Sequence, residues 1–217
     1  MTMRHLLIPI TLAGAVFVLC AGCALTSKSP PVEFRYFTTE SVSAPHAASG
    51  PDTGVAGHAN RHLQVRIGHV NAASYLRDKI AFRDEGHEVG YYEELRWTEK
   101  PEAYLRRAIA RVLFEDRGLA ELVNKPGATL EVELAAFEEL RSPRHVARVE
   151  VTWSLRDEQS VQVQRTVAAE RPIARVKADE LPDVIAAAMA AALGDAVTAI
   201  ADGAVTELSQ EEAGQHR

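Results

Sequence analysis

The chain reads Leu130-Glu-Val-Glu-Leu134 and then Val149-Glu-Val-Thr-Trp-Ser-Leu155, and in both segments apolar and polar residues alternate. The segment Val161-Gln-Val-Gln-Arg-Thr-Val167 follows, with valines at positions 161, 163 and 167. A period of two places one set of side chains on each face of a β-strand, so each segment predicts a strand with one buried face. The turn-forming stretch Asp157-Glu-Gln-Ser160 separates the last two segments. We therefore expect an antiparallel three-stranded meander with one face in water.

A long apolar helix is predicted after these strands, from about Leu181 to Leu208. Its apolar residues recur every three or four positions, which aligns them on one face of a helix. The other positions are rich in alanine, which has the highest helix propensity and allows close packing. We expect this helix to lie across the sheet, and residues 209–217 to form a tail beyond it.

Shorter elements are predicted before the meander. A helix begins near Pro101, because proline suits a position whose N–H has no partner, and it stops near Gly118. Strands are predicted at residues 34–39 and 63–67, and residues 79–83 and 88–96 are expected to form a hairpin. The fold class that follows is α+β, with a mixed, largely antiparallel sheet backed by two main helices.

The composition is that of a folded globular protein. Of the 217 residues, 47% are hydrophobic and 25% are charged, and the formal net charge is −6. A negative balance gives no general attraction to nucleic acid, so no nucleic-acid partner is expected. Two cysteines are too few for a disulfide-dense scaffold or a four-cysteine zinc site.

The N-terminus has the features of a secretory signal. Arg4 precedes an apolar run of 14 residues from Leu6 to Leu19, which is too short to span a bilayer as a helix. The run leads to Ala21-Gly22-Cys23, which resembles the lipobox of bacterial lipoproteins. In such proteins the cysteine sulfur receives a diacylglyceryl group and becomes the new N-terminus. The alternative is a conventional signal peptide that is cleaved at another bond.

This interpretation divides the chain into four parts. Residues 1–22 are a signal peptide that is removed, and residues 23–33 are a tether that begins with Cys23 as the lipid attachment site. Residues 34–208 are a single α+β domain that contains a mobile loop at residues 41–60, and residues 209–217 are the tail. Because Ala24, rather than aspartate, follows the cysteine, resemblance to lipoprotein sorting rules favours the outer membrane.

The sequence contains none of the catalytic motifs G-x-S-x-G, G-x-x-x-x-G-K-[ST], H-E-x-x-H and C-x-x-C. His58 and His62 have the spacing of a helical metal pair, but they lie among Gly, Ala and Asn and are interpreted as solvated. The carboxylates and histidine within residues 84–88 are interpreted as a hydrated hairpin tip. We expect no enzymatic activity, no bound metal and no cofactor.

Taken in order, these features resemble a known family. They are the lipobox, the aromatic strand Phe34-Arg-Tyr-Phe37, a strand that leads to Tyr75-Leu76, the segment Arg96-Trp-Thr-Glu-Lys-Pro101, the strand Val151-Thr-Trp-Ser-Leu155 and the alanine-rich helix. The chain is similar in this respect to the ABC-type transport auxiliary lipoproteins, the PqiC/YmbA-like family.

The resemblance implies a periplasmic domain that is anchored to the outer membrane through acyl chains. It implies an MCE-domain protein and its ABC transporter or permease as partners, with the lipoprotein as the docking subunit of an intermembrane lipid transport system. A docking role would also suit a homo-oligomer. Only the lipid-bearing cysteine is carried over as a site residue, onto Cys23.

Two other functions stay open at this stage. The first is a periplasmic lipid-binding carrier lipoprotein whose helices close an apolar pocket. The second is a hydrolytic enzyme that uses the carboxylates near Asp84.

Overall fold

The computed structural model describes residues 32–40, 60–157 and 160–215. The residues from Phe34 onward form one compact unit. Cys23 and the predicted mobile loop, apart from Asn60, lie outside the described residues.

Eight strands and two helices make up the described chain. The strands are β1 (Arg35–Phe37), β2 (Gln64–Ala72), β3 (Lys79–Arg83), β4 (Gly90–Trp97), β5 (Ala120–Glu121), β6 (Thr129–Leu140), β7 (Val146–Arg156) and β8 (Val161–Pro172). The helices are α1 (Pro101–Ala110), which continues as a π-helical segment at Arg111–Asp116, and α2 (Leu181–Gln215).

The strands form one sheet in which β6 has the central place. Along one edge β6 pairs with β7 in antiparallel fashion over its full length, and β7 pairs with β8 in the same way. Along the other edge β6 pairs with β2 and then with β3, both parallel. Strand β3 forms an antiparallel hairpin with β4, and β1 pairs parallel to the outer edge of β4. The predicted fold class, α+β with a mixed, largely antiparallel sheet, is confirmed.

A β-bulge at Ala135 shifts the alternation of side chains along β6. Even-numbered residues share the face of Val149 and Val151 before the bulge, and odd-numbered residues share it afterwards. Before the bulge Leu134 pairs with Val151, and after it Phe137 pairs with Val149. The bulge therefore shifts the alternation by one position, because two residues of β6 lie opposite one residue of β7. The Tyr75 hydroxyl donates a hydrogen bond of 3.0 Å to the carbonyl of Ala135, so the turn between β2 and β3 is fixed to the bulge.

Helix α2 is a core helix that packs on β6, β7 and β8. Its length and apolar composition alone would let it cross a membrane, but 56% of its most apolar window is buried inside the protein. It extends seven residues beyond the predicted end at Leu208, to Gln215. Ion pairs from β8 fix it along the sheet, with Arg165 joined to Glu207 and Arg171 joined to Asp195.

Both tryptophans lie in the core between the sheet and the helices. Trp97 is 2% exposed and Trp153 is 1% exposed. The Trp153 ring lies so close to α2 that a Cβ atom added to Gly203 would approach it to 2.7 Å. The helix can reach the sheet at this point because residue 203 has no side chain.

The sheet face opposite the helices is polar. On β7 the buried residues Val149, Val151, Trp153 and Leu155 alternate with half-buried Glu150, Thr152 and Ser154. The Thr152 and Thr166 hydroxyls lie 3.0 Å apart across the β7–β8 pair on this face. The antiparallel meander with one wet face is therefore present as predicted.

Candidate functional site

The predicted site residue, Cys23, lies outside the described residues, so the functional surface is built from the strand that follows it. Strand β1 is fixed to the body of the protein by its last residue. The carbonyl of Phe37 accepts hydrogen bonds from the Thr98 amide, at 2.9 Å, and from the Tyr104 hydroxyl, at 3.3 Å. Tyr104 is buried in α1, so the first turn of that helix holds the strand in place.

Arginine side chains join the segment around β1 to both helices. Arg35 donates to Asp183 at the start of α2 over 2.9 Å, and Arg107 of α1 donates to Glu40 over 3.1 Å. Arg107 also donates to Glu99 over 2.5 Å, and the hydrogen bond to Glu99 is the main cause that raises the pKa of Arg107. These exposed ion pairs add to the backbone pairing with β4, which positions the segment against the body of the protein.

An open groove of about 390 Å³ lies between this segment and the first turns of α2. Its floor is made of small side chains, Ala186, Ala187 and Ala190, and Arg35 and Asp183 stand at its side. The groove has no cysteine or histidine among its lining residues, and serine is also missing there. Its hydroxyl groups belong to Tyr36, Thr38 and Thr39, and that of Thr38 accepts a hydrogen bond from the Glu40 amide at 3.2 Å.

Two aromatic rings project outward beside the groove. Phe34 is 48% exposed and Tyr36 is 65% exposed. Strand pairing explains this orientation, because Arg35 and Phe37 lie beside Leu95 and Trp97, both of which face the core. Residues 34 and 36 must then face the other side.

A second polar site lies at the end of the sheet, where Glu139 is 1% exposed. One carboxylate oxygen accepts a hydrogen bond from the Tyr92 hydroxyl at 2.7 Å and another from Nε of Arg141 at 3.3 Å. The other oxygen lies 2.5 Å from Nε2 of His145. The Arg141 guanidinium stacks on Phe82, 3.4 Å from the ring centre. The buried carboxylate is therefore fully partnered.

Its neighbour Glu138 is equally buried but lies on the opposite face of β6. Arg83 donates to both of its carboxylate oxygens at 3.1 Å, and this hydrogen bonding is the main cause that raises the pKa of Arg83. Because the two carboxylates occupy different faces, they cannot act as an acid/base pair.

The turn carboxylates that the enzyme hypothesis used lie at the surface. Asp84 is 3.5 Å from Arg141, and Glu85 accepts a hydrogen bond from Ser142 at 3.3 Å. Asp84 and Glu139 share the Arg141 guanidinium, so a cation lies between the surface carboxylate and the buried one. The described residues also contain no cluster of three histidine, cysteine or carboxylate side chains that would hold a metal.

The structure describes one histidine of the pair that was considered for a metal, His62. His58 lies outside the described residues, and His62 is 3.4 Å from Glu212 of α2.

Arginines of the first helix make hydrogen bonds within the protein. Arg106, for example, donates to the carbonyl of Gly68 at 2.8 Å, where β2 has an irregular register.

We expect Tyr75 and Tyr92 to ionise late in an alkaline titration. Burial, with Glu138 near Tyr75 and Glu139 bonded to Tyr92, raises the pKa of each from 10.0 to about 12. The folded state keeps both protons where the unfolded chain loses them, so stability is present below pH 10 and falls as the pH rises through about 12. Tyrosinate absorbance of the folded chain should lag behind that of the urea-unfolded chain. Coincident curves would contradict the burial argument.

Comparisons with known proteins agree with this architecture. A family model described as the ABC-type transport auxiliary lipoprotein component matches residues 43–201. A crystal structure of a Xanthomonas campestris protein from the family designated DUF330 is 21% identical, with 70% of this chain and 88% of that chain covered and a TM-score of 0.61. Another solved protein, uncharacterised, is 15% identical, with 65% and 94% covered and a TM-score of 0.51.

A putative lipoprotein from Caulobacter crescentus is 16% identical, with 50% of this chain and 83% of that chain covered and a TM-score of 0.38. No curated protein sequence matches the chain. The first two structures show a shared fold.

Proposed function

Because the chain belongs to the family of ABC-type transport auxiliary lipoprotein components, we propose that it is the membrane-anchored docking subunit of such a transport system. The match to the family model is the observation that carries the proposal, and the lipobox at Ala21-Gly22-Cys23 supports it independently. The partners that we propose are an MCE-domain protein and its permease, which would move lipids between the two membranes.

The proposed anchor is the sulfur of Cys23, acylated and held in the outer membrane with the domain facing the periplasm. Each buried acyl CH₂ contributes about 0.8 kcal/mol, so two or three chains hold a protein to a bilayer almost permanently. A subunit confined in this way meets a partner that spans the periplasm at a raised effective concentration. No covalent chemistry is required of the folded domain.

The arrangement of side chains in the described residues supports an interaction module without catalysis. The buried carboxylates Glu138 and Glu139 are each bonded to an arginine. Hydrogen-bonded ion pairs of this kind favour one conformation of the end of β6 and its neighbouring residues, and a docking surface needs a defined conformation. We therefore propose a non-enzymatic role.

The proposal is tested by Cys23→Ser in cells that contain the transport system. The unchanged chain is expected in outer-membrane fractions and to co-purify with the MCE-domain protein, whereas Cys23→Ser is expected in the soluble periplasmic fraction. Cys20→Ser is the matched control, because the same substitution in the leader leaves the acceptor intact. A Cys23→Ser variant that still fractionates with outer membranes would contradict the anchor, and co-purification of phospholipid without the MCE-domain protein would favour the carrier function.

A further inference from the structure

Phe34 and Tyr36 are the two exposed aromatic side chains among the residues that the structure describes. Two residues apart on an extended segment, they lie on the same side of the chain. Strand β1 is the edge strand of the sheet in the described structure, since its pairing there is with β4 alone. The two rings therefore form one aromatic patch at the edge where the chain enters the domain.

The patch is held in place by packing beneath it. The Arg96 guanidinium lies 4.8 Å from the centre of the Phe34 ring, and the Arg96 side chain is 11% exposed. Arg96 in turn donates to the carbonyl of Tyr92 at 3.1 Å and lies 3.4 Å from Asp78. The outward orientation of Phe34 is therefore built into the sheet, because cation–π contact and the strand register both favour it.

The number of residues between Cys23 and the patch limits how far the patch can lie from an anchor at Cys23. Cys23 precedes Phe34 by 11 residues. A chain of that length reaches about 38 Å when fully extended and about 18 Å on average when flexible. An acyl group on Cys23 therefore keeps β1 near the bilayer surface. The opposite edge of the sheet, β8, is five strand spacings away, or about 24 Å.

We infer that Phe34 and Tyr36 insert into the boundary between the phospholipid headgroups and acyl chains of the membrane that holds the anchor. This inference rests on the proposed acylation of Cys23. Aromatic rings, and above all those with a polar end such as tyrosine, concentrate at that depth of a bilayer. The contact orients the domain, with the β1 edge toward the membrane and the β8 edge away from it.

The test uses the full lipidated chain, reconstituted in vesicles of phosphatidylethanolamine and phosphatidylglycerol whose acyl chains are brominated near the headgroups. Tyr36→Trp supplies a fluorescent probe in the patch, and Val161→Trp is the matched control at the β8 edge, where Val161 is 57% exposed. The native Trp97 and Trp153 are buried and are subtracted with the unsubstituted chain. The tryptophan at 36 is expected to shift to shorter wavelength and lose about half of its emission, as a ring at the interface would. The tryptophan at 161 is expected to stay unquenched.

Each alternative result has a distinct meaning. If the protein binds to the vesicles but the tryptophan at position 36 is not quenched, the membrane contact is overturned and the anchor is retained. Equal quenching at positions 36 and 161 would overturn the orientation on which the contact depends. A blue-shifted but unquenched probe that responds to protein concentration would mean that a second copy of the chain covers the patch. A chain that does not associate with the vesicles at all would overturn the anchor together with this inference.

Discussion

Replacement of Trp153 by alanine is expected to lower the free energy of unfolding by about 3–5 kcal/mol. The Trp153 ring is 1% exposed and fills the space between β7 and α2, directly beneath Gly203. Its removal leaves a cavity that α2 fills only in part, because the helix is also packed on β6 and β8 and the close-packed core relaxes little. The measurement is urea unfolding followed by circular dichroism, with the transition midpoint and slope compared to the unsubstituted chain.

The matched control is Trp153→Phe, which keeps an aromatic ring in the same place. The Trp153 indole N–H donates to no acceptor among the described residues, so phenylalanine removes a buried donor without breaking a hydrogen bond. We expect a smaller loss than for Trp153→Ala, because phenylalanine leaves a smaller cavity beside Gly203. Equal losses for Trp153→Ala and Trp153→Phe would show that the ring does not support α2.

Glu139→Ala is expected to lower the free energy of unfolding by about 3 kcal/mol, because it removes the acceptor shared by three side chains. Tyr92, Arg141 and His145 would be left without their common carboxylate. The expected loss is at the lower end of the range for a broken buried ion pair, because 32% of the Arg141 side chain is exposed and can be hydrated. Chemical unfolding at neutral pH measures the loss.

Two further variants separate the charge of Glu139 from its shape. Glu139→Gln keeps an acceptor for Tyr92 and fills the same space, so its loss should be smaller than that of Glu139→Ala. Glu133→Ala, on the exposed part of the same strand, should change stability by less than about 0.5 kcal/mol. If Glu133→Ala were as damaging as Glu139→Ala, the effect would come from the strand and not from the buried cluster.

The spacing of apolar residues was sufficient to predict the meander, from a period of two, and the two helices, from a period of three to four. Residues such as Val149, Val151 and Leu155 are buried in the order that a period of two requires. The signal is strong there because β7 pairs on both sides and has one wet face. Helix α1 was equally predictable from the sequence, because Pro101 begins it and Gly118, with a φ of 70°, follows its last turn.

The bulge at Ala135 shows why the rest could not be predicted. A strict period of two from Leu134 would place Ala136 and Glu138 on the helix face, and the structure places Phe137 and Glu139 there. Nothing local marks the extra residue, because its carbonyl is satisfied by Tyr75, which lies sixty residues earlier in the chain. The parallel pairing of β2 and β3 with β6 likewise depends on contacts distant in sequence.

The candidate surface was predictable in part. The residues next to Cys23 are enough to predict it as the lipid attachment site, which stays a prediction, and the sequence also indicates a strand at Phe34 and Tyr36. Which side of that strand faces outward depends on its pairing with Leu95 and Trp97 of β4, which no local pattern contains. The partners of Glu139 were not predictable for the same reason, since Tyr92 precedes it by 47 residues.

The central position of β6 determines the order in which the sheet can be completed during synthesis. Strand β3 ends at Arg83 and β6 begins at Thr129, so 45 residues lie between the end of one partner and the start of the other. At about 5–20 residues per second, β3 waits about 2–9 s for the strand that pairs with it, and β2, which ends at Ala72, waits longer. During that interval the edges of β2 and β3 that later face β6 bond to water, whereas the opposite edge of β3 can already pair with β4. A chain that ends before Thr129 therefore presents two unpaired strand edges, the feature through which incomplete sheets associate.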